Sequence, residues 1–374
     1  PVSTLMKWFP DKPGMATGLA IMGFGGGAML ASPLSVALMH TFAGAHSVGV
    51  AETFVVLGVL YFALMLFGVF TIRIPAEGWK PKGYIAPSGK AQTSGTQNVS
   101  AAAAVKTPQF WLLFCTLCLN ITAGIGVLGQ ASVMIQELFS ETSVGADAAV
   151  SAAAAAGFVG LLSLFNMGGR FFWSSISDKL GRKNVYTVFF VLGAILYCLI
   201  PSLGESGSKA LFIIGFCVII SMYGGGFAAI PAYLRDLFGT YQVGAIHGRI
   251  LLAWSLAAVL GPVLVNYIRQ GQIDAGVPAA QAYSITMYIM AGLLVLGLLA
   301  NALVKQVHAK HHLHTIPEAA HSGNPEDETA LSDAYLAAEE ISHGGFAVWW
   351  RWLLVGIPLG YGVVMVFAKV VDLF

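Results

Sequence analysis

Charge is what this chain has least of. Asp, Glu, Lys and Arg make up only 10% of its 374 residues, where a soluble globular domain carries about 25%. The formal net charge is +1, which gives no electrostatic basis for binding nucleic acid. Cysteine is scarce as well. Cys115, Cys118, Cys198 and Cys217 all fall inside apolar runs, which excludes a disulfide framework. The C-x-x-C spacing of Cys115 and Cys118 then reads as small packing residues rather than redox or metal chemistry. No His/Asp/Ser or metal-ligand constellation recurs inside the apolar runs. No enzyme activity and no cofactor are therefore expected. An initial Met and a signal peptide are also missing. "PVSTLMKWFPDKPG" reads like the interior of a loop, so further chain is expected ahead of Pro1.

What is abundant is hydrophobic sequence, 57% of the residues. A membrane-spanning helix needs roughly 20 mostly apolar residues. Nine stretches qualify, at about 14–39, 51–73, 108–136, 148–176, 184–203, 210–235, 244–268, 283–304 and 347–371. The expected class is an all-α, multi-pass membrane protein in contact with the lipid bilayer. Orientation follows from the positive-inside rule. With the first stretch starting inside, fifteen Lys and Arg fall on the inner side and three, Lys209, Arg269 and Lys369, on the outer. That places the linker and the acidic tail in the cytoplasm, in an arrangement expected of a bacterial inner membrane.

Two spans come first, in residues 1–73. A polar Gly/Ser/Pro/Lys linker follows at 74–106, then six spans at 107–305, an acidic tail at 306–346, and one additional span at 347–374. Two, linker and six is the pattern of a 6 + 6 transporter whose first four helices lie ahead of the chain. A shift of 229 residues supports it weakly. Leu5 meets Leu234, Phe9 meets Phe238 and Pro33 meets Pro262, as parallel repeats would.

"SSISDKLGRK" lies in the inner loop between the fourth and fifth spans. Gly181 permits a tight turn. Asp178 can accept hydrogen bonds from a neighbouring helix start, and Arg182 and Lys183 can pair with acids across the inner gap. Such contacts, with Lys179 beside them, latch a conformational state. One Arg belongs to neither side. Arg170 is eight residues back from Asp178, about 12 Å into the membrane at ~1.5 Å per residue. A charge at that depth costs at least ~2.5–3.5 kcal/mol on insertion scales. Asn166 and Ser163 share its helix face, so the face points into a bundle or a wet cavity. Glu52 and Asp236 sit at helix ends, and no visible carboxylate lies at mid-depth. Two neutralising partners remain: an acid on helices outside the chain, or an organic anion from solution, whose carboxylate fits the guanidinium fork.

The motif resembles the G-x-x-x-D-[RK]-x-G-R-[RK] signature of the major facilitator superfamily, with Ser174 where the leading glycine usually stands. That departure puts close helix approach there in question. "KWFPDKPGMATGLAIMGFGGGAMLASPL", "NMGGRFFWSSISDKLGR", "YGGGFAAIPAYLRDLFG" and "GAIHGRILLAWSLAAVLGP" resemble helices five, eight, ten and eleven of its oxalate/formate antiporter family, kin to the monocarboxylate carriers. The resemblance implies a partial major facilitator fold: the last two helices of the N-terminal half, six of the C-terminal half, and one extra helix. It implies that Arg170 binds a substrate carboxylate, with Asn166 beside it and Tyr223, Phe227 and Trp254 lining the cavity. On spacing alone, Tyr223 and Phe227 read equally as core packing. Oxalate-exchanging members carry Lys where this chain has Trp254. That difference points to a monoanion such as lactate, pyruvate or formate, moved by antiport or proton symport. The rival expectation is a non-transporting sensor or scaffold on the same fold. Gly23 to Gly27 and Gly261 read as helix-packing positions, and the histidines of "HAKHHLH" as solvated tail rather than a metal site.

Overall fold

The computed structural model describes residues 2–44, 47–76, 81, 98–140, 149–279 and 281–313. The linker centre, the acidic tail and the stretch 347–371, with their expected roles, lie outside the described residues. Within residues 1–312, a single compact unit, every long element is a helix: α1 (Val2–Trp8), α2 (Pro13–Phe42), α3 (Val50–Thr71), α4 (Ala101–Ala104), α5 (Pro108–Leu128), α6 (Ala131–Leu138), α7 (Ala152–Leu180), α8 (Arg182–Glu205), α9 (Lys209–Phe238), α10 (Val243–Ile250), α11 (Leu252–Asp274) and α12 (Ser284–Leu303). By length and composition, α3, α5, α8, α9, the continuous α10–α11 pair and α12 can each cross a membrane. Helices α2 and α7 have 30 and 29 residues, about 45 Å of helix, against a hydrocarbon core of ~30 Å.

Local chemistry sets the helix ends. Ser100, Thr107 and Ser151 each accept a hydrogen bond from the backbone N–H three residues on. These are N-caps worth about 1 kcal/mol apiece. Gly181 holds φ at 84° between α7 and α8, a conformation that costs any residue with a Cβ. The run at 108–136 is not one helix, as the sequence suggests, but two. The break falls at Gly129–Gln130, where Gln130 Nε2 donates to Asn266 of α11 at 2.6 Å. A hydropathy pattern cannot register such a break, because the apolar run continues through it. Glu137 of α6 and Arg269 of α11 form an ion pair, a second tie between the broken run and α11.

Packing pairs α7 with α9, α5 with α11, and α8 with α12, while α2 lies against α7 and α9. In a membrane, where no hydrophobic effect separates helix from lipid, small residues at crossings supply the contact. On α2 the crossing is made by Gly14 and Gly18, four apart. A Cβ on Gly14 would lie 2.8 Å from Asp178 Oδ1, and one on Gly18 would lie 2.7 Å from the Arg170 carbonyl oxygen and 3.0 Å from Ser174 Cβ. Ser174 is fully buried there. The close approach survives the missing motif glycine because the partner helix provides two. Gly23 and Gly27, expected to pack, face open space, whereas Gly261 meets Gly126 backbone to backbone, as expected.

These distances separate two glycine substitutions. Gly18→Ala should lower the thermal midpoint of the detergent-purified protein by several degrees, an overpacking cost of about 1–3 kcal/mol. Gly168→Ala, where a Cβ meets nothing within 4 Å, should leave the midpoint unchanged or raise it.

Candidate site around a buried guanidinium

Helix α7 carries Arg170 ten residues before its last residue, about 15 Å along the axis, and only 1% of the side chain surface is exposed. Its Nε donates to Asn166 Oδ1, one turn earlier, at 3.1 Å. One terminal nitrogen, Nη1, is buried with no hydrogen-bond partner. Among the described residues no carboxylate lies within ion-pair distance of it. A buried guanidinium left this way has lost its hydration without a full set of replacement acceptors, which is costly in a low-dielectric setting.

Aromatic faces stand where an acid would be. The guanidinium carbon lies 5.2 Å from the ring centre of Phe24, on α2, and 5.2 Å from that of Phe227, on α9. Each such contact is worth ~0.5–2 kcal/mol, the upper figure when dry. Trp254, on α11, stands edge-to-face against both rings, with centroids 4.0 Å from Phe227 and 5.7 Å from Phe24. Three helices thus converge on the cation that a fourth provides. Tyr223 is within electrostatic reach of Arg170, but it is 95% buried and its ring presses on Gly124 of α5, so it also serves as packing.

The structure therefore brings together Arg170, Asn166, Phe227 and Trp254, with Tyr223 at the edge. Sequence reading missed Phe24. It sits inside "GFGGG", where glycine dominated the interpretation, yet it is the one large aromatic side chain in that segment.

A second constellation lies about two turns further along α7. Both carboxylate oxygens of Asp178 accept backbone N–H bonds from the first turn of α2, Gly14 at 2.9 Å and Met15 at 2.8 Å. A carboxylate there also meets the positive end of the helix dipole. Arg182 donates to Asp178 and to Ser177, and its Nε lies 3.4 Å from Asp236 at the end of α9. Thr17 Oγ1 donates to Ala228 of α9 at 3.1 Å, and Arg235 reaches the Pro10 carbonyl at 3.2 Å. Lys183, expected to find an acid, instead donates to the carbonyl oxygens of Ala302 and Val304, at 2.7 and 2.8 Å. These belong to the last turn of α12 and its cap, where unsatisfied carbonyls attract a cation. Lys179 is exposed. Among the described residues no cluster of three or more His, Cys, Asp or Glu side chains is arranged to hold a metal.

Comparison with known proteins agrees with this architecture. The family model described as Major Facilitator Superfamily matches residues 2–262 and 160–373. The chain is 30% identical over 260 residues to the oxalate:formate antiporter of Oxalobacter formigenes, covering 70% of this chain and 56% of that protein. It is 25% identical over 315 residues to apicoplast pyruvate carrier 1 of Toxoplasma gondii, covering 68% and 53%. It thus spans just over half the length of these relatives. Among solved structures it shares the fold of the E. coli fucose:proton symporter FucP, with a TM-score of 0.57 at 10% identity, over 82% of this chain and 74% of that one. A guanidinium ringed by helices, a loop motif clasping a neighbouring helix start, and a family match across nearly the whole chain lead to one conclusion: this is a multi-pass membrane protein of the major facilitator superfamily.

Proposed function

We propose that the chain is the greater part of a secondary transporter that carries a small organic monoanion by alternating access. In this reading residues 1–73 supply the last two helices of the first half and 107–305 the second half, and the substrate binds Arg170 between them. The observation that carries it is the buried Arg170 side chain with a free Nη1 and no acidic partner among the described residues. Asn166 occupies Nε, which fixes the plane of the guanidinium and leaves its outer fork for a carboxylate. Asn166 thus positions the arginine. Phe24, Phe227 and Trp254 wall the site and favour a small, flat, singly charged ligand. The names of two relatives, an oxalate:formate antiporter and a pyruvate carrier, both denote carboxylates. Exchange of one anion for another needs no titratable group at the site, and exchange is the mode we assign.

Counterflow in proteoliposomes tests this. Labelled formate, lactate or pyruvate should enter faster when the unlabelled anion is inside, and a protonophore should not abolish the effect. Arg170→Gln should lower uptake at least 100-fold while the protein elutes and melts as the parent does. Arg170→Lys should retain charge but lose the fork, costing about tenfold. Binding without flux would overturn the transport reading and favour a sensor.

Trp254→Lys tests selectivity. A second cation contributes one charge-assisted hydrogen bond, ~1.5–3 kcal/mol. The preference for oxalate over formate should therefore shift by about tenfold or more.

The contacts around Asp178 close one end of the site in this conformation, and we assign them the latch. Asp178→Ala removes both acceptors for the α2 N-terminus. In a background with the four cysteines replaced by serine, a cysteine placed at Ala16, which is 2% exposed, should then react several times faster with a water-soluble maleimide. An unchanged rate would mean that these bonds do not hold that end shut.

A further inference from the structure

A second polar feature lies inside the helix bundle, separate from the arginine. Asn120, in the middle of α5, is 5% exposed, and its Nδ2 has no hydrogen-bond partner. A stranded buried amide donor costs about 1–3 kcal/mol, so a partner is expected. Asn120 lines a small pocket of about 10 Å³ between α5, α8, α9 and α12, whose lining includes Tyr197, Met222, Tyr223 and Leu294. That volume corresponds to roughly one water molecule, by the ~10–15 Å³ that a single probe-sized site requires. Tyr197 supplies a second polar group. Its hydroxyl donates to the Ala123 carbonyl at 2.6 Å, so its oxygen lone pairs remain able to accept. Both tyrosines and Leu294 are themselves buried, at 1%, 5% and 4% exposure.

We propose that this cavity is a binding site for one water molecule, which accepts from Asn120 Nδ2 and donates to Tyr197 Oη. The inference does not rest on the transport reading. A carboxylate or other anion is too large for the space, and a metal ion would need acceptors where the free group is a donor. The water lies at a sensitive joint. Gly226 of α9 comes so close to Asn120 that a Cβ there would lie 2.6 Å from Nδ2. It is the last of three consecutive glycines, Gly224 to Gly226, that let α9 press on α5 and α7.

Hydroxyl-radical footprinting on the purified protein tests it through Met222, which is 3% exposed and would be oxidised only by radicals formed from water beside it. Met222 should be labelled in the parent at a rate near that of an exposed methionine. Asn120→Leu, which keeps the volume and removes the donor, should slow labelling at least fivefold. Asn120→Ser, which keeps a polar group, should not. Should Asn120→Leu fail to fold, Leu294→Phe fills the cavity from α12 and should give the same loss. An unlabelled Met222 in the parent, or equal labelling in Asn120→Leu, overturns the site. Equal loss in the Leu and Ser variants attributes the protection to packing and overturns it as well.

Discussion

A cation taken out of water must be compensated, and the neighbourhood of Arg170 is arranged around that requirement. Its compensation is partial: one hydrogen bond donated to Asn166 Oδ1 and two aromatic faces. Aromatic rings attract a guanidinium through their quadrupoles without occupying its donors. The charge is thereby tolerated while its hydrogen-bonding capacity stays available. A carboxylate in their place would have contributed more energy and consumed that capacity. Helices α2 and α9 each present one ring to the guanidinium on α7, and Trp254 of α11 stands against both rings.

Glycine makes the convergence possible. Helix α7 meets α2 through Gly14 and Gly18, and it meets α9 through Gly169, Gly224 and Gly225, whose missing side chains would collide with Ser221, Asn166 and Trp173. In lipid, such contacts are the main source of helix association. The same closeness brings the N-terminus of α2 within reach of Asp178. The helix crossing and the Asp178 bonds are therefore one arrangement, and a side chain added at Gly14 would disturb both.

Much of this was legible in the residues. Low charge and long apolar runs announced membrane helices. The loop spacing of Asp178, Gly181 and Arg182 announced a turn with acceptors for a helix start, and the depth of Arg170 singled it out as a residue needing a special partner. What escaped had physical reasons. The break at Gly129 leaves hydropathy unchanged, so no periodicity reports it. Phe24 was hidden because a helix's glycines indicate closeness without saying which neighbour is close. The role of Ser174 was misjudged by considering one helix of a crossing, when the space for an approach can come from either side. Lys183 bonds to carbonyl oxygens at a helix end, a partner that exists only once α12 has folded.

The donors that Asp178 engages belong to the peptide backbone of α2. A substitution at position 14 or 15 leaves the N–H in place unless proline is introduced, although Gly14 has no room for a Cβ, and Pro13 already occupies the position where no N–H is needed. Heritable loss of closure at this end should therefore map to one partner of the pair. It would fall in the last turn of α7, which carries the carboxylate, while the first turn of α2 is constrained by the size of Gly14.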